Sequence, residues 1–505
     1  MFTVARYRGN PSSHLTLASA TAASNTNIPV RRSLRRGIRL AGLMVLAGSS
    51  SIHADGLTNR PLLMPGTIHL DGNLRGRIES LDDQYRAAGH GTDQILATRT
   101  DFTFSIPFTR FQNSSNFVLE LTDSRHFSSD DDTTLTTATV NTLEAVQARV
   151  SVRSDLLPWQ ISDHEINFGR QTLDIGSRRL MARNRYRNTF NTFDGLHLVS
   201  NLRYSKARVE GLVFYPVSRY PDTRVDLENN QHEADKSSLH VQLLGLSADG
   251  YVLKGRIRGS AQWFKLREAD TSRLETRNRN ITTLAGRLYL TSQPGQVDFD
   301  LELARQSGTS RLTADEADRT DLDHDAWFYH LELGYQFRTR WQWQLKLQYD
   351  HASGDLKPDD ERNNRFDTLY GARRFDFGPT GIFGSFARSN IASPAVRAVF
   401  KPSPSSEIML AWRWYQLASD RDAWVGSGYR DASGESGDFV GQQPEFRWRW
   451  KATRSVDVET GAAWLKLGTY ASKAASKAEL AGGTPRAEPV PESALYSYLQ
   501  ATWKF

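Results

Sequence analysis

The chain lacks cysteine altogether, and among its 505 residues no hydrophobic stretch is long enough to form a membrane-spanning helix. The missing cysteines exclude a disulfide framework and a thiolate metal site. One largely apolar run, Ile38–Ala47, has about half of the ~20 residues that a spanning helix needs. A mean hydropathy of −0.53 suits a soluble protein, but it equally suits a barrel whose strands need an apolar residue only at every second position. The formal charge of +6 includes several arginines near the N-terminus, so it does not indicate a nucleic-acid partner.

Residues 1–54 have the pattern of an export signal. Its positive part holds Arg31, Arg32, Arg35 and Arg36. The apolar run follows, and after it comes a stretch of small residues, Gly48–Ser51. This order is typical of a secretory signal peptide, and we predict cleavage after Ala54. The position is fixed only to within a few residues, because Ile52 is larger than the residue usually found there. Residues 55–505 then form one mature domain.

From Thr67 onward, polar and apolar residues alternate, which predicts strands with two different faces. Trp343, Leu345 and Leu347, for example, alternate with Gln344 and Lys346. The predicted strands are 67–79, 95–107, 116–126, 142–153, 163–171, 192–200, 204–216, 238–247, 251–265, 281–290, 296–305, 326–337, 341–350, 391–400, 406–416, 443–450, 456–467 and 495–505. Because nearly every strand carries charge on one face and large apolar residues on the other, we predict an all-β fold. It is a transmembrane antiparallel β-barrel of about 18 strands.

The connections between these strands alternate in length. Those after even-numbered strands are mostly short, such as Ala248–Gly250 and Lys451–Ser455. Those after odd-numbered strands are long and polar, such as Val217–Ser237 and Ala418–Gln442. Outer-membrane barrels have short periplasmic turns and long extracellular loops, whereas a soluble all-β fold has no reason to separate loop lengths in this way. We therefore predict the outer membrane of a Gram-negative cell.

The last predicted strand ends on Phe505, on the same face as Leu495, Leu499 and Trp503. Pairing of this strand with the first one would remove an exposed sheet edge. A terminal Phe in an alternating strand resembles the signal that the outer-membrane assembly machinery reads. The expected partners are this machinery, outer-membrane lipid and lipopolysaccharide, and the barrel is expected to be a monomer without a cofactor or metal.

If the apolar residues face lipid, the alternate residues face a water-filled lumen. The predicted pore-lining residues are Arg75, Arg77, Arg99, Arg170, Arg179, Arg208, Arg256, Arg258, Arg287, Arg413, Arg447 and Arg449. Guanidinium groups stay charged and bind carboxylates through a fork of donors, so their excess would attract anions and exclude cations. The alternative is that each one pairs with an inward acid and only holds the lumen together. Arg256 and Arg258, two apart on one predicted strand, should point the same way.

Two kinds of charged segment leave their roles open. Arg170–Arg187 holds six arginines against a single acid, Asp174. It either folds into the mouth of the pore or binds lipopolysaccharide phosphates outside. The acidic runs Asp130–Asp132, Asp321–Asp325 and Asp359–Glu361 offer oxygen ligands of the kind Ca²⁺ prefers, but they lack the spacing of a calcium loop, so solvated loops are the favoured interpretation.

The stretch Asn167–Leu198 resembles the hallmark of the alginate-export family of outer-membrane porins. The matching residues are Gly169, Arg170 and Gln171, then Arg179 and Leu180, then Phe193, Asp194 and Gly195. A second match follows in His351–Asp355, Phe366–Tyr370 and Arg388–Ile391. The resemblance implies an eighteen-stranded barrel with an Arg-rich lumen that passes an anionic polysaccharide or smaller anions. The sequence departs from the family in an Arg-rich linker where family members tend to show a Trp.

Taken together, the expected function is that of a channel for anionic solutes. The solute is either an anionic polysaccharide such as alginate or a small organic anion. A passive adhesin and an outer-membrane enzyme are the alternatives from other classes. An enzyme would need a nucleophile or a carboxylate pair beside a histidine; His69, His240 and His330 fall on predicted inward positions without such a partner in sequence.

Overall fold

A computed structural model of the protein describes residues 67–110, 113–130, 133–154, 161–272, 274–477 and 489–505. The predicted export signal, residues 1–54, and the predicted boundary at residue 55 lie outside these residues. None of the helices in the described ranges is long and apolar enough to cross a membrane.

The described residues form twenty strands and four short helices. The strands are β1 (His69–Asp82), β2 (Asp93–Arg110), β3 (Asn113–Phe127), β4 (Asn141–Ser154), β5 (Ile161–Gln171), β6 (Phe193–Leu202), β7 (Arg208–Ser218), β8 (Lys236–Ser237), β9 (Val241–Val252), β10 (Ile257–Glu268), β11 (Asn280–Leu290), β12 (Val297–Ser310), β13 (Leu322–Gln336), β14 (Gln344–Ala352), β15 (Arg362–Asn363), β16 (Ile391–Ser403), β17 (Ser406–Gln416), β18 (Phe439–Lys451), β19 (Val456–Leu467) and β20 (Ser493–Lys504). The helices are α1 (Arg224–Glu228), α2 (Leu253–Arg256), α3 (Arg374–Phe377) and α4 (Thr469–Ser476). Because β8 and β15 are two-residue pieces within loops, eighteen strands remain to build a wall.

The wall closes on itself. Each long strand pairs antiparallel with the next one, and β1 pairs with both β2 and β20. At the seam, the amide of Phe505 donates to the Gly72 oxygen at 3.0 Å, and the amide of Gly72 donates to the Phe505 oxygen at 2.8 Å. Closure leaves no open edge among the eighteen described wall strands. The predicted eighteen-stranded antiparallel barrel is confirmed, and every predicted strand overlaps an observed one.

The two faces of the wall are inverted relative to those of a soluble protein. The outward side chains of Leu303 and Leu333 are 60% and 54% exposed, whereas the inward side chains of Arg77 and Glu302 are 1% and 2% exposed. An outer surface of large apolar residues requires a lipid environment, because such a surface is unfavourable in water.

The connection between β9 and β10 lies later in the chain than predicted. Ala248–Gly250, predicted as a turn, is part of β9, and the chain reverses at α2, where Gly255 has a φ of +74°. The small residues at 248 and 250 continue the alternation, so the sequence pattern does not mark the turn. As a result Arg256 lies in the connection, is exposed, and does not share a strand face with Arg258. The prediction that these two side chains point the same way from one strand is wrong.

The alternation of loop lengths is confirmed. The long connections lie at one end, the long-loop end. Their described parts are residues 83–92, 128–130, 133–140, 172–192, 219–240, 269–272, 274–279, 311–321, 353–390, 417–438, 468–477 and 489–492. At the other end, the short-turn end, the connections that the structure describes are short, such as 253–256 and 452–455.

Two of the long connections fold into the barrel, and we name them lumen loop A (residues 172–192) and lumen loop B (residues 353–390). They run side by side: the amide of Tyr370 donates to the Leu180 oxygen and the amide of Ala182 to the Tyr370 oxygen, both at 3.1 Å. An isolated bridge joins Met181 and Tyr370 in parallel. The two loops therefore form one structure that crosses the lumen.

An apolar core fills the long-loop end of the barrel. Phe366, Phe383, Trp424, Tyr429 and Tyr470, from several long loops, are all buried in it. Burial of such side chains contributes about 1.5–3 kcal/mol each. The long loops are therefore packed together, and open space in the lumen is found on the short-turn side of the lumen loops.

Candidate functional site

Three of the predicted pore-lining arginines hold the backbone of lumen loop A. Arg75 donates to the oxygen of Arg187 at 2.9 Å, Arg77 to the oxygen of Tyr186 at 2.8 Å, and Arg99 to the oxygen of Arg187 at 3.0 Å. Their positions on the inward face of β1 and β2 follow from the alternation. Their partners do not, because backbone oxygens leave no mark in a sequence.

The predicted residue Arg179 lies in lumen loop A and ties it to lumen loop B. Its Nε and Nη2 donate to the two carboxylate oxygens of Asp376 at 3.0 and 3.2 Å, and its Nη1 donates to Glu302 on the wall at 2.7 Å. Arg388 also donates to Asp376, at 2.5 Å. Burial alone would raise the pKa of Asp376, but Arg179 and Arg388 hold it far below its usual range. We call Arg179, Asp376 and Arg388 the latch.

The residues that carry the family resemblance lie opposite one another at the base of lumen loop A. Gly169 pairs with Gly195, Arg170 with Asp194 and Gln171 with Phe193 across β5 and β6. Arg170 donates to Asp194 at 2.8 Å, and it also reaches Glu144 at 2.9 Å. β5 ends at Gly169–Gln171 and β6 begins at Phe193–Gly195, so these two paired segments hold the two ends of lumen loop A together. We call them the clamp.

The two glycines of this clamp have backbone conformations that L side chains rarely adopt. Gly169 has a φ of +117° and Gly195 a φ of +148°. A Cβ added at Gly169 would lie 2.3 Å from the Ala148 oxygen, and one at Gly195 would lie 2.1 Å from the Val213 oxygen. Glycine permits such a backbone without steric cost, so both positions require it.

Below the lumen loops lies a cavity of about 400 Å³, which we call the chamber. Its lining contains the guanidinium-bearing residues Arg75, Arg178, Arg185, Arg374, Arg397, Arg447 and Arg449. Only two acids, Asp174 and Glu459, line it with them. Lumen loops A and B form the roof, while β1, β16, β17, β18, β19 and β20 form the wall. The arrangement places seven positive charges around a small water-accessible space.

Several chamber arginines have contacts other than carboxylates. Arg397 donates to the Phe375 oxygen at 2.7 Å, and Arg178 lies 5.0 Å from the centre of the Phe375 ring. Four others are paired with acids: Arg374 donates to Glu445 at 2.7 Å, Arg449 to Glu459 at 2.9 Å, Arg447 to Glu407 at 3.4 Å, and Arg185 to Asp174. The chamber therefore keeps an excess of positive charge after its ion pairs are counted.

Most of the other predicted lumen arginines pair with acids on the wall. Arg208 pairs with Glu210 at 2.9 Å, Arg287 with Asp300 at 2.6 Å, Arg413 with Asp350 at 2.9 Å, and Arg258 with Asp249. For these residues, and for Arg77 with Glu79 and Arg99 with Asp101, the structure favours the alternative that each arginine pairs with an inward acid. The two interpretations left open by the sequence thus apply to different residues of the same lumen.

The chamber adjoins a second cavity of about 730 Å³ at the short-turn end. The two share Arg449, Glu459 and Gln500 as lining residues. Arg340, from a short turn, and Lys401, near the end of β16, add positive charge to this second cavity. Space for a solute thus continues from the chamber towards the short-turn end.

Four of the seven chamber arginines, Arg178, Arg185, Arg374 and Arg397, were not among the predicted pore-lining residues. Arg397 lies on β16, and its inward position could have been derived from the alternation of that strand. Arg374 begins helix α3 within lumen loop B, and a loop arginine carries no signal of where it lies. Arg178 and Arg185 belong to the Arg-rich segment, which lies in the lumen and not outside.

One buried group resembles a metal site or a catalytic pair. His330 Nδ1 lies 2.7 Å from Asp350, and Asp376 is close enough to complete a set of three ligands. The carboxylates, however, already bind guanidinium groups, including Arg413 at 2.9 Å from Asp350. A metal cation would be repelled by those charges, so this group is better explained as an ion-pair network. The sequence missed it because Asp350 lies on the neighbouring strand.

Two further predictions concern exposed residues. His240 lies exposed in the loop before β9, so its predicted inward strand position is wrong. Within the run Asp321–Asp325, Asp321 contacts Arg311 at 3.3 Å and Asp325 contacts Arg305 at 3.1 Å. Acids paired in this way are poor calcium ligands, but the interpretation of this run as a solvated loop is wrong for residues 322–325, which belong to β13. Asp131 and Asp132 lie outside the described residues.

Comparison with known proteins gives the family and the fold. The alginate export family matches residues 67–481, and no curated protein matches the chain. A BenF-like porin from Pseudomonas fluorescens Pf-5 has a TM-score of 0.55 at 10% identity, covering 87% of this chain and 99% of that one. Pseudomonas aeruginosa OpdL gives 0.54 at 11% identity, covering 87% and 98%, and the outer membrane protein OprD of the same species gives 0.51 at 11%, covering 87% and 93%.

At these identities the solved structures establish the fold alone, whereas the family match spans most of the described barrel. The short-turn end is accordingly periplasmic and the long-loop end extracellular. A closed barrel with this wall, this loop asymmetry and these lumen loops is a porin-like channel of the Gram-negative outer membrane, and the chain belongs to the alginate export family.

Proposed function

We propose that this channel passes small organic and inorganic anions, which pause in the chamber between the lumen loops and the periplasmic side. It works as a monomer and as a channel, not as an enzyme. The observation that carries the proposal is the chamber of about 400 Å³, whose lining holds seven arginines. Four of them pair with acids, while Arg75, Arg178 and Arg397 contact no carboxylate in the described part of the chain. Rings of Arg or Lys are the usual means by which pores select anions.

The charges of the chamber act at short range. At physiological ionic strength an exposed charge is screened over about 8 Å, so a residue far from the chamber contributes little to selectivity. Within the chamber the guanidinium groups lie around one small space, and their potentials add. Arginine keeps its charge at every physiological pH, so the anion preference should not depend on pH near neutrality.

The lumen loops favour a small anion over a polysaccharide. They cross the lumen side by side and are joined by the latch, whose Arg179–Asp376 contact is buried. Separating one partner of a buried ion pair costs about 3–5 kcal/mol. A long polymer would have to displace both loops along its whole passage, whereas a small anion needs only the space around them.

The experiment is a planar-bilayer recording of the purified mature barrel in a salt gradient. The variant Arg178→Glu/Arg397→Glu reverses two chamber charges that contact no carboxylate among the described residues, so that no acid there loses a contact. The matched control is Arg203→Glu/Arg256→Glu, which changes the charge equally at two exposed residues of short turns. We expect the wild-type reversal potential to indicate anion preference, the chamber variant to shift it towards cations, and the control to leave it unchanged.

Adding different solutes distinguishes a small anion from a polysaccharide as the substrate. Glucuronate should reduce the wild-type current and cross the membrane, and glucose should do neither. An oligouronate that crosses faster than glucuronate would replace the small-anion proposal with polysaccharide passage. Equal reversal potentials for wild type and chamber variant would overturn the anion proposal altogether.

We also propose that residues 1–54 are removed on export, with cleavage after Ala54. N-terminal sequencing of the barrel purified from outer membranes tests this. A first residue more than a few positions from Asp55 contradicts it.

A further inference from the structure

The lipid-facing wall has a trough of about 620 Å³ that extends from β7 to β13. Its floor is made of small residues that lie opposite one another: Ala248 pairs with Ala261, and Ala261 with Gly286. Trp263 and Leu303 are among the large apolar residues that border it. The trough exists because side chains that cover the rest of the wall are missing at these three positions.

Two cations lie above the trough on the same outward face of β10. Lys265 and Arg267 are two and four positions from Trp263, towards the extracellular end of the strand. Lys265 Nζ donates to the Asn280 oxygen at 3.3 Å and to Thr282 Oγ1 at 3.2 Å, which leaves one of its three protons. Arg267 is exposed, and no carboxylate in the described part of the chain contacts either residue.

A third cation at the far end of the trough is already neutralised. Arg305 pairs with Asp325 at 3.1 Å, and its guanidinium lies 4.8 Å from the Trp327 ring. A Trp beside charged residues is typical of the membrane interface. The unbalanced positive charge of this face is therefore the pair on β10, at the level where the outer leaflet ends.

We propose that this face binds one lipopolysaccharide molecule, with a phosphate against Lys265 and Arg267 and an acyl chain in the trough. Phosphate oxygens accept charge-assisted hydrogen bonds, which are stronger than neutral ones. Lys265 and Ala261 are four residues apart on one strand, about 13 Å along it, a distance that an acyl chain spans. Lipopolysaccharide is the phosphorylated lipid of the outer leaflet, and both cations lie at the extracellular end of the wall.

The test is a titration of the full mature barrel with lipid A that carries two phosphates, followed by native mass spectrometry. Lys265→Gln/Arg267→Gln removes the cations and Gly286→Leu fills the trough. The matched control for the trough is Gly76→Leu, because a Cβ added at Gly76 or at Gly286 has nothing within 4 Å. The control for charge is Arg125→Gln, also near the extracellular end of its strand, which contacts Asp123 at 2.8 Å.

We expect one lipid A per wild-type barrel, an affinity lower by about tenfold or more in the double-cation variant, a clear loss in Gly286→Leu, and no change in either control. The reversal potential of the double-cation variant should equal that of wild type, because these residues face lipid. Equal affinity of all variants, or equal binding of lipid A without phosphates, overturns the proposal. The proposal would also be overturned if the wild type were a dimer and Gly286→Leu a monomer, because a second barrel would then occupy the trough.

Discussion

Arg179 and Asp376 form a two-point ion pair inside the barrel, with Nε–Oδ2 at 3.0 Å and Nη2–Oδ1 at 3.2 Å. One residue comes from lumen loop A and the other from lumen loop B, so the pair sets how the two loops lie across the lumen. Both side chains are almost fully buried, at 5% and 1% exposure. Whatever space a solute finds in the lumen therefore depends on this contact.

Replacing Asp376 with Asn should loosen the lumen loops. Arg179 and Arg388 would lose their shared carboxylate, and breaking a buried pair by removing one partner costs about 3–5 kcal/mol. We expect a larger and noisier single-channel conductance, with faster hydrogen exchange in both loops. The control is Asp325→Asn, which breaks the exposed pair with Arg305 and should cost about 0–1 kcal/mol. Unchanged conductance in Asp376→Asn would mean that the latch does not limit the opening.

The docking of the loop at residues 219–240 should depend on pH through Asp235. Burial raises the pKa of Asp235 to about 6. An acid whose folded pKa lies above its unfolded value near 4 stabilises the docked loop less as pH rises between these two values, and the loss is complete above about pH 6. We expect this loop to exchange hydrogen faster at pH 7.5 than at pH 5, after correction for the intrinsic rate.

Asp235→Asn should remove most of that pH dependence, because the amide does not ionise. The wild-type Asp235 carboxylate accepts from Asn141 at 2.8 Å and from the Tyr220 amide at 3.0 Å. If the variant keeps the full dependence, another group titrates.

Replacing Gly195 with Ala should weaken the clamp at the base of lumen loop A. The added Cβ would lie 2.1 Å from the Val213 oxygen, and a strained backbone of this kind costs about 1–3 kcal/mol. We expect the folded barrel to melt at a lower temperature. The measurement is the change in its electrophoretic mobility on heating. Gly76→Ala, where the added atom meets nothing, should melt like wild type; a lower value there too would point to a general effect of lipid-facing or barrel substitutions.

Replacing Phe505 with Ala should lower the yield of assembled barrel. Its ring covers Gly72, where a Cβ would lie 2.2 Å from a ring carbon, and it contacts Phe102 at 5.7 Å between centroids. We expect fewer heat-modifiable barrels in outer membranes and more protease-sensitive chain in the periplasm. The control is Phe439→Ala, which lies in another strand and away from the seam. Equal yields of the two variants would mean that Phe505 has no specific role in assembly.

The wall of the barrel was predictable because each strand must satisfy lipid on one side and water on the other. This requirement makes apolar and polar residues alternate along the chain, as in Trp343–Leu347. The prediction of the turn between β9 and β10 was wrong, because Ala248 and Gly250 are small residues that continue the alternation within β9. Alternation identifies faces well, but it marks a turn only where the pattern stops.

The site was predictable in part. Alternation put Arg75 and Arg413 on the inward face, but it could not say that Arg75 binds loop oxygens while Arg413 binds Asp350. The chamber depends on the path of the lumen loops, and loops follow tertiary contacts that have no local periodicity. For the same reason Asp376, which completes the latch from a loop, carried no signal in the sequence.

The arginines that hold lumen loop A have a consequence for how long an anion stays. Of these arginines, Arg75 donates to neutral oxygens, among them those of Arg187 and Tyr186, and neutral oxygens do not cancel a positive charge. Such a residue still lowers the energy of a nearby carboxylate but has fewer hydrogen bonds left with which to grip it. Electrostatic attraction with few hydrogen bonds shortens the residence time of the anion. Because a bound anion then leaves quickly, the pore can attract anions and still pass them at a high rate.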